Sequence, residues 1–255
     1  MNYKDVVALV TGGASGLGEA SIMELVNKGA RVAIIDVDAD KGEKLAATIG
    51  ANAIFVKTDI TSETDVRQAV QKIVEAFGKI NVAVNCAGVV NPGKIIGRKG
   101  PISLEAFNKV LQINLVGAFN VIRLAVEKMM NNTPDEDGER GVIINSASIA
   151  AFEGQIGQAA YSASKAGIVG MTLPIAREIA DYGIRIVTIA PGIFDTPMMA
   201  GLPAAVKEDM AKTVPFPRRL GKPEEFAKMV SYIIDNVMLN GCCIRLDGAL
   251  RMPPK

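Results

Sequence analysis

Tyr161 and Lys165 stand four residues apart in a stretch of helical period, so their side chains share one helix face. An ammonium beside a phenol stabilises the phenolate and lowers the phenol's pKa from about 10 towards neutrality. A tyrosine so placed can exchange a proton with the oxygen of an alcohol or a carbonyl. Ser148, thirteen residues upstream and just past an apolar run, can donate a hydrogen bond to that same oxygen. Alone, Tyr-x-x-x-Lys is common by chance, and a surface pair is its default reading. A second cluster adds to its weight. Thr11-Gly12-Gly13-Ala14-Ser15-Gly16-Leu17-Gly18 lies between an apolar run and an amphipathic stretch. Glycines there permit a tight turn, and the helix N-terminus offers free N–H groups to a pyrophosphate. Asp36 follows eighteen residues after Gly18, where a carboxylate accepts hydrogen bonds from an adenosine ribose. The plainer readings are an ordinary strand-to-helix turn and a solvated carboxylate. Positions 13 and 37 are Gly and Val, so neither offers a cation to a 2′-phosphate, which Asp36 would also repel. The pattern favours NAD(H) over NADP(H).

The rest of the composition narrows the chemistry. The chain of 255 residues has no histidine, which excludes a Ser-His-Asp triad and any His-containing metal site; no metal is expected. With 28 Lys plus Arg against 27 Asp plus Glu, the charge lacks the basic excess of a nucleic-acid or membrane-surface binder. Hydrophobic residues make up 49%, enough for one large core, and rule out intrinsic disorder. Cys86, Cys242 and Cys243 form no C-x-x-C pair and read as small buried apolar residues in a reducing compartment. The N-terminus leads straight into an apolar run, so no signal or transit peptide is expected, and no uninterrupted apolar stretch approaches ~18 residues. A soluble, cytoplasmic protein is expected.

These residues need a scaffold, and the pattern supplies one. β-branched runs at 6–10, 31–35, 53–57, 80–84, 141–146, 184–190 and 242–246 predict strands. Helical periods follow the Gly-rich turn to residue 28 and cover 38–49, 62–77, 104–130, 159–182 and 223–235. Strands alternating with helices, apolar on both faces, predict a single α/β domain over 1–255: a mostly parallel sheet covered on both sides. Two segments interrupt the rhythm. Residues 131–140 (NNTPDEDGER) read as a charged surface loop, and 193–217, rich in Pro and Gly, as a mobile lid over a site.

The motifs resemble those of the short-chain dehydrogenase/reductase family, over nearly the whole chain. Gly12, Gly16 and Gly18 fit its cofactor turn, and Asp59, with Ile60 beside it, resembles the acid that contacts the adenine amino group. Asn85-Cys86-Ala87-Gly88 resembles the family's N-N-A-G, with Cys86 in place of the second Asn. Asn114 matches the active-site Asn whose backbone holds a water of the proton relay. Ser148, Tyr161 and Lys165 match the catalytic trio, and Pro191-Gly192 with Thr196 the segment on the nicotinamide side. The resemblance implies a Rossmann fold with seven strands, a homotetramer and an alcohol/ketone oxidoreductase in which Lys165 also bonds the nicotinamide ribose.

Residues 119–124, 151–155, 157–165, 167–177, 214–217 and 244–249 are more specific and resemble a branch of the family acting on 3-hydroxyacyl thioesters of coenzyme A. That likeness implies that Ser15, Leu17, Asp36, Asp59, Ile60, Cys86, Tyr161, Lys165 and Phe194 contact NAD, and that Ser148, Gln155 and Tyr161 meet a short 3-hydroxyacyl-CoA. Hydroxysteroid dehydrogenase, 3-oxoacyl-carrier-protein reductase and a non-catalytic scaffold stand as alternatives, and a mitochondrial location beside the cytoplasmic one. The resemblance implies that the homotetramer has 222 symmetry, with the segments 104–130 and 159–182 as one interface; they are more apolar than one sheet face requires, which a deep core would also explain. Lys94, Arg98 and Lys99, in the loop 91–103 beyond the fourth strand, are either solvated charges or a landing for the phosphates of coenzyme A.

Overall fold

The β-branched runs form one seven-stranded sheet in the computed structural model, which describes residues 1–98 and 100–254. Its strands are β1 (Val7–Thr11), β2 (Arg31–Asp36), β3 (Ala53–Lys57), β4 (Val82–Asn85), β7 (Gly141–Ser146), β8 (Ile184–Pro191) and β9 (Cys243–Leu246). Their order is β3-β2-β1-β4-β7-β8-β9 and every pairing is parallel, so "mostly parallel" becomes wholly parallel. The order reverses between β1 and β4. A crevice opens there beyond the strand C-terminal ends, the usual ligand position in such sheets.

Parallel strands buried on both faces need apolar side chains at every position, and β1, β4, β7 and β8 are buried throughout. Alternate residues serve opposite cores. Ala8, Val10, Val32, Ile34, Val84 and Ile144 pack on Ile22 and Leu25 of α1 (Gly16–Asn27) and on Phe226, Val230 and Ile233 of α8 (Pro223–Asp235). Leu9, Ala33, Ile35, Ala83 and Ile143 pack on the other side. They meet Val66 and Ile73 of α3 (Glu63–Phe77), Val121 and Ala125 of α5 (Ala118–Met129), and Ile175 and Ile179 of α6 (Ala159–Ile179). Side-chain caps start α2 (Ala39–Ile49), α3 and α4 (Leu104–Leu111): Asp38, Ser62 and Ser103 each accept a hydrogen bond from a first-turn N–H. At the other end of α3, Gly78 at φ 84° supplies the left-handed residue that terminates a helix.

Four expectations need correction. The helix expected over 104–130 is α4 and α5 joined by a π-helical segment, Gln112–Gly117. The run Leu104–Met129 is long and apolar enough to cross a membrane by length and composition, yet half of it is buried, as in a core helix. The loop 131–140 is not all surface charge: Glu139 is buried and pairs with the buried Arg185 of β8 at 2.7 Å. That guanidinium also donates to the carbonyls of Ile233 and Leu239, tying β8 to the end of α8. The lid segment contains a helix, α7 (Ala204–Lys212), with no buried residue of its own, and within the loop 91–103 two short strands, β5 (Ile96–Gly97) and β6 (Gly100–Pro101), pair antiparallel. The three cysteines are free and half-buried.

Candidate active site

A cleft of about 980 Å³ runs along the C-terminal ends of the strands. Its floor at one end is the Gly-rich turn between β1 and α1. Gly12 lies at φ 62°, and a Cβ there would sit 2.8 Å from the Ala87 backbone; on Gly18 it would sit 2.2 Å from the Gly12 carbonyl. Turn, helix and the 86–88 segment therefore approach as only glycine allows. Unlike α2, α3 and α4, α1 has no side-chain bond from its N-cap residue, Ser15, to its first N–H groups. Those donors remain for an anion. Asp36 ends β2 beside them: one carboxylate oxygen accepts from Ala14 N at 3.1 Å, the other from Asp38 N at 3.1 Å. The carboxylate is thereby held at the cleft wall with lone pairs to spare. Val37 beside it is exposed, and the nearby Lys41 is engaged by Asp38 at 2.6 Å. Asp59 lines the same end, its carboxylate accepting from Thr61 N and Oγ1, and Ile60 below it fills the space left by Gly117.

At the middle of the cleft Ser148, Tyr161 and Lys165 come together from two elements, the loop after β7 and α6. Ser148 follows β7 and caps a one-turn helix, accepting from Ala150 N at 3.1 Å. Tyr161 and Lys165 belong to the first two turns of α6, with the Lys165 Nζ 5.9 Å from the phenol ring centroid. The ammonium donates to the Ser146 carbonyl at 2.7 Å, at the buried end of β7. This arrangement corrects one expectation. Burial raises the Tyr161 phenol above its ordinary value, and the Ser148 hydroxyl only partly opposes it. Burial also takes Lys165 down to about 8. The expected depression of the phenol by the ammonium is not in place, because Nζ is turned to the Ser146 carbonyl. Burial likewise pushes the Cys86 thiol up to about 12, which leaves it a neutral wall residue.

The other expected residues divide. Ser15, Gly16, Leu17, Gly18, Cys86, Ala87, Gly88, Pro191, Gly192, Phe194 and Thr196 all line the cleft. Thr196 faces Gly16, whose missing Cβ would come within 3.5 Å of it. Asn85 does not line the cleft. In register with Asn145 across β4 and β7, it donates to that residue at 2.9 Å and turns into the sheet. Asn114 is buried in the π-helical segment, where its amide joins Val89 N (2.8 Å), Val89 O (3.0 Å) and Ser164 Oγ (3.1 Å). It fixes the 86–90 segment against α6 rather than reaching the cleft with its side chain. Gln155 lines the cleft, but its amide nitrogen donates to the Pro253 carbonyl at 3.1 Å, so it acts as a wall. Of the loop cations, Lys94 borders a shallower neighbouring pocket, Arg98 is exposed, and Lys99 lies outside the described residues. Sequence reasoning missed the apolar half of the cleft: Met198, Met199, Leu202 and Met210 of the lid segment, and Met252 of the C-terminal tail. Three methionines within 198–210 were a readable signal; Met252 had none.

The comparisons agree with this geometry. Residues 6–207 match the short chain dehydrogenase family. The chain belongs to that family. It is 54% identical over 255 residues to the 3-hydroxyacyl-CoA dehydrogenase type-2 of Homo sapiens, covering 99% of this chain and 98% of that one. The crystal structure of 3-hydroxyacyl-CoA dehydrogenase type-2 from Mycobacterium avium superposes with a TM-score of 0.95 at 41% identity, covering 99% and 98%. That of the 3-ketoacyl-(acyl-carrier-protein) reductase from Brucella melitensis, complexed with NADH, superposes at 0.87 with 28% identity, covering 97% and 98%. As a short-chain dehydrogenase, the protein is an oxidoreductase on the Rossmann sheet described above.

Proposed function

We propose that the protein interconverts a short-chain 3-hydroxyacyl-CoA and its 3-oxoacyl-CoA with NAD(H). The observation that carries this is the convergence of Ser148, Tyr161 and Lys165 on one cleft whose far end is the Gly-rich turn and Asp36. The likeness to 3-hydroxyacyl-CoA dehydrogenases supports the substrate, and the NADH complex of the reductase supports the cofactor. The residues fit the cofactor: Gly12, Gly16 and Gly18 leave room for a pyrophosphate on the uncapped α1, and Asp36 accepts from the ribose of NAD. Asp59 and Ile60 flank the adenine end; Pro191, Gly192, Phe194 and Thr196 flank the nicotinamide end. When bound, NAD supplies the hydride acceptor.

Ser148 donates to the substrate oxygen and orients it. Tyr161 Oη takes the alcohol proton during oxidation and returns it during reduction. Lys165, when its ammonium turns from Ser146 O to the ribose and the phenol, lowers the cost of the phenolate. Asn114 holds the 86–90 segment and α6 in the register these contacts need. The half-buried free thiols support a reducing compartment; the cytoplasm is our proposal, with the mitochondrion as the alternative. Steady-state rates with NAD and NADP decide the substrate, measured on 3-hydroxyacyl-CoA, a 3-hydroxyacyl carrier protein and a hydroxysteroid. The reading expects NAD-dependent turnover highest on the short CoA thioester. Preference for another substrate, or for NADP, overturns it.

A further inference from the structure

Beyond β9 the chain does something the sheet does not require. Gly248 (φ 60°) and Ala249 (φ 67°) are both left-handed, and Ala249 is the one non-glycine residue with positive φ among the described residues. An L-residue persists there only where its surroundings dictate it. Here they do. Asp247 Oδ1 accepts from Ala249 N at 3.0 Å, and Leu250 is buried on Ile149 and Val214. The Arg245 guanidinium grips Glu153 with both nitrogens (2.7 and 2.8 Å), donates to Asp247 at 2.7 Å and to Leu250 O at 3.1 Å, and lies 5.2 Å from the Phe152 ring centroid. The forked geometry of arginine makes this a clamp that lysine cannot reproduce.

The turn sends the tail back over the site. Pro253 O accepts from Gln155 Nε2 at 3.1 Å, and Pro254 O from Ile156 N at 3.0 Å, so the tail runs along the loop between Ser148 and Tyr161. Met252 then lines the cleft, seated on the same small apolar cluster as Ile149, Val214 and Ile193. That cluster joins the ends of the lid, the Ser148 loop and the segment after β8.

We infer that residues 247–254 form the wall that sets how long a substrate the cleft accepts, with Met252 as the contact and Arg245 as the residue that positions it. This rests on the substrate reading above. A carbinol held between Ser148 and Tyr161 carries two arms, and with Met252 lining the same cleft one of them would run towards it. Its long unbranched thioether fills the irregular space at that boundary, so its volume takes up length that a longer chain would need.

The test is a chain-length profile of kcat/KM with NAD, taken on 3-hydroxyacyl-CoA thioesters of four, eight and twelve carbons and on a parallel series of 2-alkanols. Met252→Ala is expected to raise the long-to-short ratio at least tenfold, and Met252→Trp to lower it. Arg245→Lys is expected to shift the ratio in the same sense as Met252→Ala while NADH affinity stays within twofold of the parent, a split that general loss of structure would not produce. A ratio unmoved within twofold in both Met252 variants, in whichever series the parent turns over, overturns the inference. A parent active on alkanols and inert on every thioester overturns the substrate reading instead, with the alkanol profile still deciding the role of the wall. A parent inert on both series overturns both.

Discussion

Lys165 is an ammonium in a place that disfavours ammonium ions. Burial takes it down to about 8, whereas an unfolded lysine titrates at about 10.4. Between these values the unfolded chain binds the extra proton, so this group's contribution to stability rises with pH across that window, and its cost is present in full below it. Cofactor binding should run the other way. A ribose-binding ammonium is present below about 8 and lost above it, so NADH affinity should fall as pH rises through that value. Fluorescence titrations from pH 6.5 to 9.5 check this: the parent weakens, and Lys165→Ala is weaker throughout and flat. Asp36 makes the second residue-scale prediction. Asp36→Ala removes a ribose acceptor, the repulsion of a 2′-phosphate and the partner of Ala14 N. NAD binding should weaken by about 1–3 kcal/mol and NADP should lose less, so the ratio of the two dissociation constants measures the effect.

Elements decide whether such residues meet. The π-helical segment widens one turn of the 104–129 run and seats Asn114 between the 86–90 segment and Ser164. Asn114→Ala leaves Val89 N and O without their partner; we expect a loss of about 2–3 kcal/mol and a large fall in kcat. Thermal unfolding and kinetics of the same preparation read both. The elements themselves were largely legible from the sequence. Strands such as Gly141–Ser146 are apolar runs that only a two-sided sheet accommodates, and Pro223–Asp235 carries its own start signal. The π segment was invisible, since it interrupts neither the apolar pattern nor the helical propensity. Ala204–Lys212 was missed for the opposite reason: with no buried face it has no period to read. In the site, the residues that need a particular chemistry or a missing Cβ stood out. Those that act by where the fold sends them, Asn85 into the sheet and Met252 over the cleft, did not.

At the scale of the whole molecule, the reversal of strand order between β1 and β4 opens the crevice, and everything proposed for catalysis lies along it. The outer surface raises a separate question. Val116 and Phe119 on the 104–129 run and Leu173 on α6 are each more than two-fifths exposed, an apolar surface on the two long helices. We infer that these helices pair between chains in a 222 homotetramer. Sedimentation at micromolar concentration should give a single species of four chains, and Phe119→Glu with Leu173→Glu should dissociate it; a stable monomer in the parent contradicts the inference.

The account turns on one atom, the Tyr161 oxygen, because the chain has no histidine, burial keeps the Cys86 thiol neutral and the Lys165 ammonium is engaged by the Ser146 carbonyl. Tyr161→Phe deletes that oxygen and leaves the ring that packs the cleft. Its turnover on the best substrate should be measured alongside its NADH affinity. The account predicts a loss of at least about a hundredfold in kcat with NADH binding unchanged. Turnover within a few-fold of the parent would contradict it.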